Sequence, residues 1–76
     1  MMLQKKLKKI TVTAEAGKGA VKATANGAGD IVELEIDESL LSPENKKKLQ
    51  KYIVEAVNKA HKEAMMKAAQ EVKLPF

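Results

Sequence analysis

The chain holds no cysteine, no tryptophan and no arginine, only two prolines, and one tyrosine and one phenylalanine among 76 residues. Without cysteine there is neither a disulfide staple nor a thiolate for a metal or for nucleophilic chemistry, which fits a reducing compartment. Without arginine all fourteen cations are lysine. Lysine offers a hydrated point charge where arginine offers the planar fork that reads guanine through two hydrogen bonds, so strong base-specific readout is disfavoured. Scarce aromatics leave Ile, Val, Leu and many alanines to fill the core, and a chain this short buries only about 60% of the surface it exposes when unfolded. Oligomerisation is a common remedy. No apolar run approaches the ~20 residues of a membrane span, and Met1-Met2-Leu3-Gln4-Lys5-Lys6-Leu7 lacks the apolar centre of a signal peptide. One soluble, cytoplasmic domain over residues 1–76 is the expectation.

What is abundant is charge, and it is sorted. Residues 1–9 carry Lys5, Lys6, Lys8 and Lys9 and no acid; residues 10–41 set Lys18 and Lys22 against Glu15, Asp30, Glu33, Glu35, Asp37 and Glu38; residues 42–76 hold eight lysines and four glutamates. The net charge of +4 is thus a basic start, an acidic centre and a basic end. That arrangement suggests where a polyanion docks and where it is repelled.

From Ile10 to Ala16 apolar and polar residues alternate, the pattern of a half-buried strand. Gly17-Lys18-Gly19 supplies a turn, a second strand alternates through Val21, Ala23 and Ala25, and Asn26-Gly27 opens a second turn region with Gly29 and Asp30. A third strand places Val32, Leu34 and Ile36 inward and Glu33, Glu35 and Asp37 outward. Three strands with short connections make an antiparallel meander with one face to be covered. Ser42-Pro43-Glu44 then reads as a helix start, with Ser as N-cap, Pro at the first position and Glu at the positive end of the dipole. No Gly or Pro follows until Pro75, while Leu49, Ile53, Ala56, Val57, Ala60, Ala64 and Ala68 form one apolar stripe. About 30 helical residues would run ~45 Å, whereas six- or seven-residue strands reach ~20–24 Å, so the helix must overhang. There it is expected to meet another helix: the N-terminal segment, with Leu3, Leu7 and Ile10 at helical spacing, or its own mate in a second subunit. The expected fold is α+β, a short N-terminal helix, a three-stranded meander and a long C-terminal helix (α-β-β-β-α).

Chemistry-bearing motifs are few. Gly17-Lys18-Gly19 joins two strands, whereas a phosphate loop joins a strand to a helix; its glycines answer to the positive φ of a tight hairpin. His61 is the only histidine and has no second His for a metal site. No nucleophile and base pair up, so no catalytic site, cofactor or small-molecule substrate is expected. On a helical wheel Lys48, Lys51, Lys59, Lys62 and Lys73 fall within about 80° of arc opposite the apolar stripe. Glu55 lies in the same arc, and Lys51–Glu55, Lys59–Glu63 and Lys67–Glu71 are spaced to pair within the helix. A solvated surface and a phosphate-binding ridge both explain this pattern. The unpaired cluster Lys5, Lys6, Lys8 and Lys9 favours the ridge.

The stretch Gly17-Lys18-Gly19-Ala20-Val21-Lys22-Ala23-Thr24-Ala25-Asn26-Gly27, followed by Glu35-Ile36-Asp37-Glu38-Ser39-Leu40-Leu41 and a C-terminal Leu-Pro-Phe, resembles the bacterial YbaB/EbfC nucleoid-associated proteins from about Ile10 to Val72. It departs from that pattern in a shorter N-terminal helix and in Ala23 and Ala25, where bulkier apolar residues are usual. The resemblance implies a homodimer with paired protruding helices, associated with double-stranded DNA in the nucleoid and without catalytic residues. The candidate phosphate contacts are Lys5, Lys6, Lys8, Lys9, Lys48, Lys51, Lys59 and Lys62, with the acidic strand face turned away. The rival expectation is a protein-interaction module whose protruding helix docks a partner protein.

Overall fold

The computed structural model describes residues 7–71. Residues 7–9 are helical (α1), followed by strands β1 (Thr11–Ala16), β2 (Val21–Asn26) and β3 (Ile31–Ile36), two single 3-10 turns (Glu38–Leu40 and Pro43–Asn45) and the long helix α2 (Lys46–Glu71). The strands form one antiparallel sheet in the order β1-β2-β3, the expected α+β meander.

The alternation of β1 and β2 sets the core. Ala14, Ala16, Val21, Ala23 and Ala25 are buried on one face beneath Ala56, Ala60 and Ala64 of α2, with Leu40 closing one end. Val21 is the largest fully buried side chain, so this interior is built from methyl groups. Alanine on both surfaces lets the helix lie close to the sheet, at the cost of the large apolar areas that stabilise most domains. Leu49, Tyr52, Ile53 and Val57 fill the flanks, half-buried. On the opposite sheet face Glu15 pairs across to Lys22 and Lys22 to Glu35, all exposed. The hydroxyls of Thr13 and Thr24 hydrogen-bond there at 2.7 Å.

Both connections have specific backbone requirements. Gly17, Lys18 and Gly19 all have positive φ, 64°, 59° and 87°, which bends β1 into β2 within four residues. Between β2 and β3, buried Asn26 accepts from the N–H groups of Ala28 and Asp30 through Oδ1, each at 3.0 Å. Gly27 adopts no positive φ. It is glycine because a Cβ there would lie 2.8 Å from the Leu7 carbonyl oxygen, 3.1 Å from Ala68 Cβ and 3.3 Å from Ile10 Cβ. Its N–H is shared between the carbonyls of Leu7 (2.9 Å) and Ile10 (2.8 Å). The end of α1 and Ala68 of α2 thus close on Gly27 together, which places the N-terminal segment, one of the two alternatives expected at the overhang, near the C-terminal part of α2.

Three expectations are corrected. In β3 a bulge opposite Thr24/Ala25 makes Ile31, and not Val32, the cross-strand partner of Ala25, while Leu34 and Ile36 face Ala23 and Val21 as expected. The apolar face of β3 is also only partly covered: Ile36 is half-buried against the core, but α2 packs mainly on β1 and β2, leaving Ile31, Val32 and Leu34 exposed by 39%, 54% and 41%. Finally, α2 begins at Lys46. Ser42 precedes a separate 3-10 turn and makes no side-chain cap; its Oγ accepts from Asn45 Nδ2 at 3.1 Å, and the same amide donates to the Ser39 carbonyl at 2.9 Å. Asn45 thus ties the two turns together before the helix starts. The 26 residues of α2 span about 39 Å, roughly twice the ~20 Å of a six-residue strand.

Candidate nucleic-acid interface

Burial of Ala56, Ala60, Ala64 and Ala68 fixes how α2 is rotated on the sheet, and that rotation decides where its charges point. At 100° per residue, Lys48, Lys51, Lys59 and Lys62 fall 180–260° around the helix from Ala60, and all four are exposed. Glu55 shares the arc and is exposed too. Lys48 and Lys51 are about one turn apart, as are Lys59 and Lys62, and the ridge they form runs about 21 Å along the helix axis.

The other expected site residues sit as follows. Lys8 and Lys9 are exposed on α1, next to the Leu7 carbonyl that meets Gly27 beside Ala68. They therefore stand near the C-terminal part of α2. Lys5 and Lys6, and Lys73 of the wheel, lie outside the described residues. Glu33 and Glu35 are exposed on β3, their cross-strand partners Thr24 and Lys22 belonging to the sheet face away from α2. Asp37 is exposed and follows β3 as a cap: its Oδ1 accepts from the Ser39 N–H at 2.8 Å. This backbone bond, with a smaller contribution from the Ser39 side chain, holds the Asp37 pKa below its ordinary value of 3.8.

Two further features bear on what this surface can do. An open depression of about 440 Å³ lies where Gly19, Ala20, Lys22, Glu35, Ile36 and Asp37 come together. Its ionisable groups are all exposed, and the Asp37 carboxylate is already engaged as a cap. His61, also exposed, reaches the β2–β3 turn, with Cε1 3.5 Å from where a Cβ on Gly29 would be. Among the described residues no three His, Asp or Glu side chains are grouped to hold a metal ion, and no helix is long and apolar enough to cross a membrane.

A lysine-lined helix face interrupted by Glu55, with the β3 carboxylates on the far side of the sheet, does not by itself name a partner, and comparison with known families adds to it. The YbaB/EbfC DNA-binding family model matches residues 1–74. The chain belongs to this family. A nucleoid-associated protein of Pelotomaculum thermopropionicum is 44% identical over 72 residues, covering 95% of this chain and 69% of that protein. Another from Rhodococcus erythropolis is 35% identical over 72 residues, 95% of this chain and 64% of its own length. A third, from Moorella thermoacetica, is 47% identical over 58 residues, 76% of this chain and 56% of that protein. The chain thus spans between about half and about two thirds of the length of the curated relatives it matches. Among solved structures, an uncharacterized protein from Helicobacter pylori, HP0035, superposes with a TM-score of 0.77 at 35% identity, covering 91% of this chain and 80% of that one. YbaB/EbfC is a DNA-binding family whose curated relatives here are nucleoid-associated proteins.

Sequence reasoning missed the exposed apolar flank beside the ridge. The alternation of β3 signalled an apolar face correctly, but alternation carries no information on whether anything in the same chain covers it.

Proposed function

We propose that this protein is a homodimeric, nucleoid-associated DNA-binding protein that holds duplex phosphates through lysines on its helices, with little sequence selectivity. The observation that carries the reading is the rotation of α2. Its alanines lock one side onto the sheet, so Lys48, Lys51, Lys59 and Lys62 stand together on the opposite side. A ridge about 21 Å long matches roughly six base pairs at ~3.4 Å each. Lysine alone at such a ridge supplies charge and position without base identity, since phosphate contacts fix register and base-edge contacts specify sequence. The carboxylates of Glu33 and Glu35 lie on the remote sheet face, where they do not oppose the polyanion at close range. Lys8 and Lys9 extend the positive surface towards the end of α2. A second copy would double it.

Binding driven by phosphates releases counterions, so log affinity falls linearly with log salt at about 0.9 per contact. The test is a gel-shift or anisotropy titration against random and defined duplexes at several salt concentrations. Steep salt dependence with similar affinity for all duplexes is expected. No duplex binding at low salt, or an affinity independent of salt, would reject the proposal.

A further inference from the structure

Asn26 is the one buried polar side chain among the described residues, and Gly27 follows it. Asparagine before glycine is the pair most open to a spontaneous change of covalent structure, because a residue without Cβ leaves its nitrogen unshielded towards the Asn side chain. Both residues are demanded by the fold. Asn26 closes the β2–β3 turn through the two bonds that its Oδ1 accepts from the N–H groups of Ala28 and Asp30, and only glycine fits at 27 against the Leu7 carbonyl, Ala68 and Ile10. The junction of α1, β2 and α2 is therefore built on a labile pair.

We infer that Asn26-Gly27 is a latent modification site, held intact while the end of α1 is docked and converted to aspartate or isoaspartate when residues 7–10 come away. In the opened chain hydroxide takes the Gly27 amide proton and the nitrogen attacks Asn26 Cγ; the N–Cγ bond forms as Cγ–Nδ2 breaks, and ammonia leaves with a proton from water, which restores the hydroxide. One water then opens the five-membered imide. Cleavage between the nitrogen and Cγ leaves an aspartate in place of Asn26. Cleavage at the main-chain carbonyl leaves isoaspartate, whose backbone runs through Cβ and Cγ and is one atom longer.

Docking blocks each step. The Gly27 N–H is shared between the carbonyls of Leu7 at 2.9 Å and Ile10 at 2.8 Å, so its proton is withheld from hydroxide and an anion on the nitrogen would face two backbone oxygens in a place that burial already makes costly for charge. Ring closure must also turn the Asn26 Cα–C bond out of its extended geometry. Strand pairing with Thr11, the Asn26 N–H bond to the Asp30 carbonyl at 2.9 Å and the Gly29 N–H bond to the Asn26 carbonyl at 3.1 Å all hold it there. Of these restraints the Leu7 and Ile10 carbonyls belong to the segment leading into β1, outside the sheet, and such segments open at lower cost than paired strands. Once the longer backbone of isoaspartate displaces Gly27 from its acceptors, the lock does not re-form. Lys8 and Lys9, carried on α1, then lose their place beside α2.

The test incubates the full chain at mildly alkaline pH, folded and in urea, and follows aspartate and isoaspartate at position 26 by peptide mass mapping and isoaspartyl methylation. Asn58, exposed on α2 and followed by Lys59, is the internal reference. In urea Asn26 should react ahead of Asn58, and in the folded parent ~10-fold or more slower than in urea, the rate following the fraction of chains open. Ile10→Ala, which hollows the buried seat of the α1 end, should raise the folded rate at Asn26 by ~10-fold or more, with Asn58 unaffected and the circular dichroism retained. If that spectrum is lost, Ile10→Val takes its place, with a rise of ~2-fold or more. Equal rates at Asn26 folded and in urea would overturn the lock, and Asn26 lagging behind Asn58 in urea would overturn the site. A folded Ile10 variant with the parental rate would overturn the part given to α1.

Discussion

Gly27→Ala is predicted to be the most damaging single-methyl addition in the β2–β3 region, for reasons that can be apportioned. Gly27 has no positive φ, so alanine meets no backbone penalty and should even gain slightly from a stiffer unfolded chain, by ~0.4–1 kcal/mol. Against this stands the contact at 2.8 Å with the Leu7 carbonyl oxygen, a backbone atom that cannot rotate aside. Ala68 Cβ at 3.1 Å and Ile10 Cβ at 3.3 Å close the other directions. Overpacking of this kind costs ~1–3 kcal/mol. Relief requires the end of α1 to withdraw, which breaks the shared hydrogen bonds from the Gly27 N–H to Leu7 and Ile10 at ~1 kcal/mol. The net loss is about 1–3.5 kcal/mol, a large share of the ~4–11 kcal/mol available to a domain of this length. Urea denaturation followed by circular dichroism measures it, and the midpoint should fall with little change in slope. A loss below ~0.5 kcal/mol would refute the argument that close packing of α1, β2 and α2 dictates glycine here.

Other predictions follow from single positions. Gly17→Ala should cost about 1–3 kcal/mol, because the residue has φ of 64° and its Cβ would lie 2.7 Å from the Tyr52 ring; in a Tyr52→Ala background only the backbone part, ~1 kcal/mol, should remain, and a double-mutant cycle showing no coupling would dismiss the ring contact. Lys18→Asn should stabilise by ~0.5 kcal/mol, since Asn tolerates a φ of 59° better than Lys, raising Tm by ~2–4 °C; a lower Tm would count against it. Asp37 has a folded pKa below 3.8, so between that pH and its folded value the unfolded chain binds more protons and stability rises with pH. Its contribution is therefore complete above the ordinary carboxylate range and is lost as pH falls through the lowered folded value. Asp37→Asn should flatten that part of a denaturation series taken below pH 4, and an unchanged acid limb would show the cap to be irrelevant.

Much of the architecture was legible because period-2 and period-3.6 patterns depend on local chemistry. Ala14, Ala16, Val21 and Ala23 announced their face, Gly17 and Gly19 announced the hairpin, and the alanines of α2 announced the stripe that fixes the lysine ridge. What escaped depends on non-local geometry. The bulge that pairs Ile31 with Ala25 leaves no mark in a run whose apolar residues, Ile31, Val32, Leu34 and Ile36, fit more than one register. Gly27 read as a turn glycine because residue type alone does not distinguish a φ requirement from a steric one. Ser42 read as the cap of the long helix, yet Asn45 competes for its hydroxyl and inserts a separate turn. The bare side of β3 escaped because a chain's pattern declares which surface is apolar and not what covers it. Spacing grouped Lys48, Lys51, Lys59 and Lys62, and their exposure opposite a buried stripe follows from the same rotation that buries the alanines.

The central claim is that lysines on the outer side of α2 hold phosphates. The most direct test compares the salt dependence of duplex binding for the parent, for a variant with Lys48, Lys51, Lys59 and Lys62 changed to Gln, and for a control with Lys18 and Lys22 changed to Gln. If the ridge binds DNA, its neutralisation lowers the slope of log affinity against log salt by about 0.9 for each contacting lysine in each subunit, while the control keeps the parental slope. Superimposable curves for the parent and the ridge variant would contradict it.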